Sequence, residues 1–162
     1  MGKNQLIYVS YIATTPERLW VALTNGEFTQ KYWYGRRIES DWRIGSPVRF
    51  YDGATDVVTD DGVVLESDPH RRLVYTFHQV GSNPDQEEPI HSRVAFTLEA
   101  HPGMVKITLV HDELPDDQWV NEFREGWAPI LSSLKTFLET GKPLPQLRAF
   151  EEKGQPKPAV KK

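Results

Sequence analysis

The chain has 162 residues, 38% apolar and 26% charged, no cysteine, and a formal net charge of −4 at pH 7. That profile suits one soluble domain that buries a core without disulfides, and the lack of cysteine excludes thiolate metal sites, iron–sulfur clusters and thiol nucleophiles. From Lys142 onward six Lys or Arg stand against two acids, leaving a body of 13 basic and 21 acidic residues, without the basic face that nucleic acid requires.

No apolar run approaches the roughly 20 residues that span a bilayer, so no membrane span is expected. The start, MGKNQLIYVSYIA, carries no apolar leader and reads directly as a strand, and a cytoplasmic location is expected. Residues 1–148 are read as a single domain. The segment 149–162, rich in Pro, Lys and Glu, buries too little apolar area to offset the entropy of ordering and is read as a flexible tail.

Gln5 to Ala13 alternates loosely, with Ile7, Val9 and Tyr11 on one face and Leu6, Tyr8 and Ile12 on the other, which predicts a strand covered partly on both sides. Thr15-Pro16-Glu17 then opens a helix. Thr15 can cap, Pro16 loses no intrahelical bond at the first position, and Glu17 meets the positive end. This helix carries Leu19, Trp20 and Leu23 and stops near Asn25-Gly26, and a second short helix follows over about Glu27–Trp33.

From Arg36 to Glu113, β-branched and aromatic runs recur between Gly, Pro, Asn and Asp, the signature of an antiparallel meander. Six strands are predicted: Arg37–Trp42, Pro47–Asp52, Asp56–Ser67, Arg72–Gln79, His91–Ala100 and Met104–Glu113. Asp60-Asp61-Gly62 fits either a hairpin or a bulge within one long strand. Gly81 to Pro89 has no apolar residue and is expected to be a long exposed loop.

After Asp116 the residues Trp119, Phe123, Trp127, Ile130, Leu131, Leu134, Phe137 and Leu138 step at intervals of 3 and 4, which predicts a long amphipathic helix. Asp116 can cap its start, and Gly141 with Pro143 ends it. Pro129 removes one backbone bond, to Glu125, and should kink it. One strand, two short helices, six strands and a long helix make an α+β fold, a seven-stranded curved antiparallel sheet gripping the C-terminal helix. Space left between a bent sheet and its helix is a natural cavity.

Among candidate chemical groups, the histidines His70, His78, His91, His101 and His111 show no metal-binding spacing, and neither metal nor cofactor is expected. His111-Asp112-Glu113 forms a carboxylate-oriented base only if it faces a pocket. Glu39, Asp41, Arg37 and Arg43 read as the charged outer face of a strand, with Glu39 or Glu66 as the acid–base group of a cyclase or hydrolase if one of them turns inward. Motifs for a serine nucleophile or a phosphate loop are absent, so no catalytic residue is assigned.

Tyr11-Ile12-Ala13-Thr14-Thr15-Pro16-Glu17-Arg18-Leu19-Trp20, Trp33-Tyr34-Gly35, Ser40-Asp41-Trp42, the string LESDPHRR from Leu65 to Arg72, and Gly126-Trp127 resemble the SRPBCC or START-like superfamily with its helix-grip fold. Within it the sequence is similar to homologues of the activator of the Hsp90 ATPase (AHSA1-like, Aha1 C-terminal domain-like). The resemblance spans about residues 5 to 145 and implies the helix-grip fold with a ligand cavity whose mouth lies after the second helix. The eukaryotic activator also has an N-terminal domain with an NxNNWHW motif, which does not occur in this sequence; activation of a chaperone ATPase is therefore not expected, and chaperone contact stays only as something the resemblance implies. A homodimer through edge strands is a further expectation. The aromatic residues expected to line the cavity are Trp33, Tyr34, Trp42, Phe50, Tyr75, Phe96, Phe123 and Trp127, since Trp and Tyr offer an apolar body with a polar tip to orient a guest. The expected function is non-enzymatic binding of a small hydrophobic or amphipathic ligand, with a polyketide-cyclase-like or hydrolase-like enzyme, or a chaperone-linked protein, as alternatives.

Overall fold

A computed structural model describes residues 4–81 and 90–145. The predicted tail, and the loop from position 82 to 89, lie outside the described residues. Strand β1 (Leu6–Ile12) leads into α1 (Pro16–Thr24) and α2 (Gly26–Tyr32), followed by β2 (Arg36–Glu39), β3 (Pro47–Asp52), β4 (Val58–Asp68), β5 (Arg72–Gln79), β6 (Ser92–His101), β7 (Met104–Asp112) and α3 (Asp117–Thr140). The strands form one curled sheet in the order β1-β7-β6-β5-β4-β3-β2, and every neighbouring pair is antiparallel. This is the expected α+β helix-grip arrangement.

The helix boundaries follow the predicted chemistry. Thr15 accepts a hydrogen bond from the Arg18 N–H at 3.2 Å, and Asn25 ends α1 while capping α2 through the Glu27 N–H at 2.8 Å. Asp116 accepts from the Trp119 N–H at 3.1 Å, and Gly141 closes α3 at φ 91°, a conformation glycine adopts without a Cβ penalty. The helix runs unbroken through Pro129. Its buried residues are Val120, Trp127, Ile130, Leu131, Ser133, Leu134 and Leu138, whereas Trp119, Phe123 and Phe137 are half-buried at the margin of the stripe.

One strand prediction is corrected. The strand expected over Arg37–Trp42 ends at Glu39, so Trp42 does not lie in a strand; it sits in the connection to β3 at φ 61°. There the Ser40 hydroxyl accepts from the Trp42 N–H and the Asp41 carboxylate from the Arg43 N–H, both at 3.0 Å. Such local side-chain bonds offer the backbone an alternative to the sheet ladder. Asp60-Asp61-Gly62 follows the second of its two expectations, a bulge within one long strand: it lies inside β4, whose register with β3 skips Thr59 beside Asp60, and a further shift, against β5, falls between Val64 and Glu66. Gly62 is required because a Cβ there would stand 1.8 Å from the Thr76 carbonyl oxygen on β5, closer than any side chain can be placed.

Candidate ligand site between sheet and helix

Alternation along each strand decides what faces α3. On β3 it brings in Val48 and Phe50, on β5 Leu73, Tyr75 and Phe77, on β6 Val94, Phe96 and Leu98, and on β7 Val105, Ile107, Leu109 and His111. All eight residues expected to line the cavity lie in or against this core. Trp33, where α2 ends, has its ring 4.9 Å from Phe50 and 5.1 Å from Trp127. Phe96 stands 5.9 Å from Trp127, and Tyr75 joins the set at 6.3 Å from each of Phe50, Phe96 and Trp42. These separations are those of edge-on and tilted aromatic contacts, so the rings fill the interior against one another.

The remaining candidates fix the borders. Tyr34, at φ 52° after α2, is buried and donates its hydroxyl to the Gly126 carbonyl at 2.8 Å, tying the α2–β2 connection to α3. Trp42 is half-buried and donates its indole N–H to the Thr24 carbonyl at 3.2 Å, tying the β2–β3 connection to the end of α1. Phe123, also half-buried, lies between Phe77 and Trp119, at 5.9 and 6.0 Å.

Three polar groups stand in this interior: His111, weighed from sequence as a base, Asp60, to which the sequence reading gave no chemical role, and Tyr75, expected among the lining residues. His111 is fully buried, with its ring 4.4 Å from Phe123. The Trp127 indole N–H donates to its Nδ1 at 2.9 Å, and Ser92 Oγ lies 2.7 Å from its Nε2. Because an indole N–H can only donate, Nδ1 is the acceptor and Nε2 carries the proton. Nε2–H therefore donates to Ser92, whose hydroxyl donates in turn to the Phe77 carbonyl at 3.2 Å. Burial holds the imidazole neutral by lowering its pKa to about 3, only partly opposed by the neighbouring Asp112 charge. With both nitrogens occupied, His111 is a structural relay and has no free position for a general base.

Asp60 is the inward carboxyl. It is buried on β4, 3.4 Å from Arg36 Nε, and accepts from the Thr59 hydroxyl at 2.7 Å. Burial raises its pKa, opposed by the Arg36 charge and the Thr59 bond. Glu39 and Glu66, the carboxylates weighed from sequence, have exposed side chains paired with Arg37 and Arg72, and neither turns inward. The third group is the hydroxyl of Tyr75, which is buried without a hydrogen-bond partner among the described residues.

A solvent-open groove of about 430 Å³ lies elsewhere, between the α1–α2 junction and β2–β3. Glu39, Asp41 and Arg49 are among its walls, and none of the eight candidates lines it. Charged walls that open to solvent suit an apolar guest poorly, and the aromatic interior is the better candidate. Among the described residues no group of three or more His, Asp or Glu is placed to hold a metal, and no helix is long and apolar enough to cross a membrane.

A family model described as Activator of Hsp90 ATPase homolog 1-like protein matches residues 13–139. The chain belongs to this family. The match begins just after β1 and stops at the end of α3, so the family pattern covers six of the seven strands and all three helices. Similar solved structures include a solution structure of a protein from Cytophaga hutchinsonii, at 25% identity and TM-score 0.70, covering 84% of this chain and 94% of that one. An Aha1 dimer from Colwellia psychrerythraea is similar at 22% identity and TM-score 0.68, covering 85% and 98%. An HSP90 activator from Plasmodium falciparum is similar at 17% identity and TM-score 0.68, covering 83% and 96%. The last two likenesses show the fold this Aha1-like chain shares. No curated protein matches it significantly.

Proposed function

We propose that this Aha1-like chain binds a small hydrophobic or amphipathic molecule between the inner face of its sheet and α3, without transforming it, with the cytoplasm as its compartment. The observation that carries the reading is the continuous aromatic set from Trp33 and Phe50 through Tyr75 and Phe96 to Trp127. Rings contributed by loop, strands and helix can part at their tilted contacts and close around a flat guest, which then replaces ring–ring contacts with ring–guest contacts. The test is native mass spectrometry of the purified protein, with a thermal-shift screen of fatty acids, sterols, flavonoids and polyketide-like aromatics. A co-purified mass or a concentration-dependent rise in Tm is expected; a flat screen with no bound mass overturns the reading.

One observation favours a second reading, that of an acid–base enzyme: Asp60 is a buried, inward carboxyl whose burial favours the protonated form. Under it, the chain hydrolyses 2-naphthyl acetate above the buffer rate and Asp60→Asn abolishes this. Self-association is favoured by the uncharged edge strand β1, which exposes Ile7, Val9 and Tyr11. Lys135 and Glu139 of α3 already bond the Tyr11 carbonyl and Ala13 N–H at one end of that edge. Chaperone contact is supported by the family's description and by the Plasmodium neighbour alone.

A further inference from the structure

Tyr75 lies mid-strand on the inner face of β5, fully buried, among Phe50, Phe96 and Trp42. Four other polar-tipped rings of this interior are paired. Tyr32 donates to the Ala22 carbonyl at 2.6 Å, Tyr34 to Gly126, Trp42 to Thr24 and Trp127 to His111. The Tyr75 hydroxyl, by contrast, is fully buried and lacks a partner among the described residues. A buried hydroxyl left unpaired is destabilising, and phenylalanine would fill the same space without that penalty. A tyrosine here is therefore explained if something outside the chain takes its hydrogen bond.

We propose that Tyr75 Oη is the polar anchor of the ligand site, donating a hydrogen bond to the oxygen of an uncharged carbonyl on a flat, ring-containing guest. The inference rests on the binding reading above and names the guest's chemistry. Burial keeps the phenol protonated, and the Tyr32 and Asp60 oxygens add to this, so the hydroxyl is a donor at neutral pH. The apolar interior opposes a carboxylate as the acceptor, because its charge would lose hydration there, whereas a ketone, quinone or ester oxygen brings no charge with it.

Isothermal titration of the full chain and of Tyr75→Phe with three naphthalenes of similar shape tests this. The probes are 2-acetylnaphthalene, 2-ethylnaphthalene, which has no acceptor, and 2-naphthoate. The wild type is expected to bind the ketone most tightly and the carboxylate least. In Tyr75→Phe the Kd for the ketone should rise about three- to tenfold, the worth of one hydrogen bond, with the hydrocarbon's Kd unchanged within about twofold. Without ligand, Tyr75→Phe should melt at the same or a higher temperature. The anchor role is overturned if the variant binds the ketone as the wild type does, or weakens ketone and hydrocarbon alike. It is also overturned if the unliganded variant melts several degrees lower, which would mean the hydroxyl already has a partner such as buried water. If the hydrocarbon and ketone bind equally in both proteins, the anchor fails and the binding reading stands; if no probe binds, both fail.

Discussion

Replacing His111 with glutamine should flatten the acid side of the stability curve. The folded chain holds this imidazole neutral, with a pKa of about 3 against 6.5 for a free histidine. Below pH 6.5 the unfolded chain takes up a proton that the folded chain refuses. Unfolding therefore gains protons and stability falls as pH falls, down to the folded pKa. The slope approaches about 1.4 kcal/mol per pH unit, and the loss between pH 6.5 and 4 is roughly 3 kcal/mol from this one residue. Asp60, whose pKa is raised, works the other way: its burial cost is relieved as pH drops through its folded value. Both proteins carry Asp60 and the same surface carboxylates, so the difference between their curves isolates His111. Urea unfolding at half-unit steps from pH 7.5 to 4 should show His111→Gln less stable at pH 7, by about 1–3 kcal/mol for the disturbed bonds to Trp127 and Ser92. The gap should close as pH falls. Parallel curves would refute the assignment of His111 as a buried neutral imidazole.

Trp127→Ala removes the ring that meets Trp33, Phe96 and His111 and should cost about 3–5 kcal/mol in urea unfolding, with ligand uptake lost as well; Trp127→Phe should recover most of the stability. Gly62→Ala forces a Cβ against the Thr76 backbone and is expected to cost about 3 kcal/mol or more or to abolish soluble expression. Gly126→Ala, where an added Cβ meets nothing within 4 Å, should stabilise α3 by about 0.5–1 kcal/mol. Equal effects of the two glycine variants would contradict the close approach of β4 and β5.

Much of the fold was legible because its signals are local and periodic. The Thr15-Pro16 start, the Asp116 cap, the Gly141 stop and the apolar stripe of α3 are short-range instructions, and each is found where it was expected. The misreadings fall where a tertiary or local polar contact overrides the pattern. Trp42 sits where a strand was expected, but the Ser40 and Asp41 side chains turn the chain there. Asp60 was hidden because Asp-Asp-Gly resembles a turn, while the glycine serves the approach of Thr76. The inward orientation of His111, left open from sequence, was readable from Val105, Ile107 and Leu109, since the same period of two places it inward. Its partners Ser92 and Trp127 come from β6 and α3, and no pattern within β7 announces them. The unpaired state of Tyr75 is likewise a property of everything around it, which no reading of its own strand contains.

The central claim, that a guest enters the aromatic interior, is tested most directly by titrating 15N-labelled protein with 2-acetylnaphthalene and following the five tryptophan indole resonances. The indoles of Trp33, Trp42 and Trp127 and the amides around Tyr75 and Phe96 should move together and saturate. Trp20, whose ring contact is with His70 and not with the aromatic set, should stay in place. Shifts confined to Ser40, Asp41, Arg49 and Tyr51 would put the guest in the surface groove instead, and an unchanged spectrum would contradict the claim altogether.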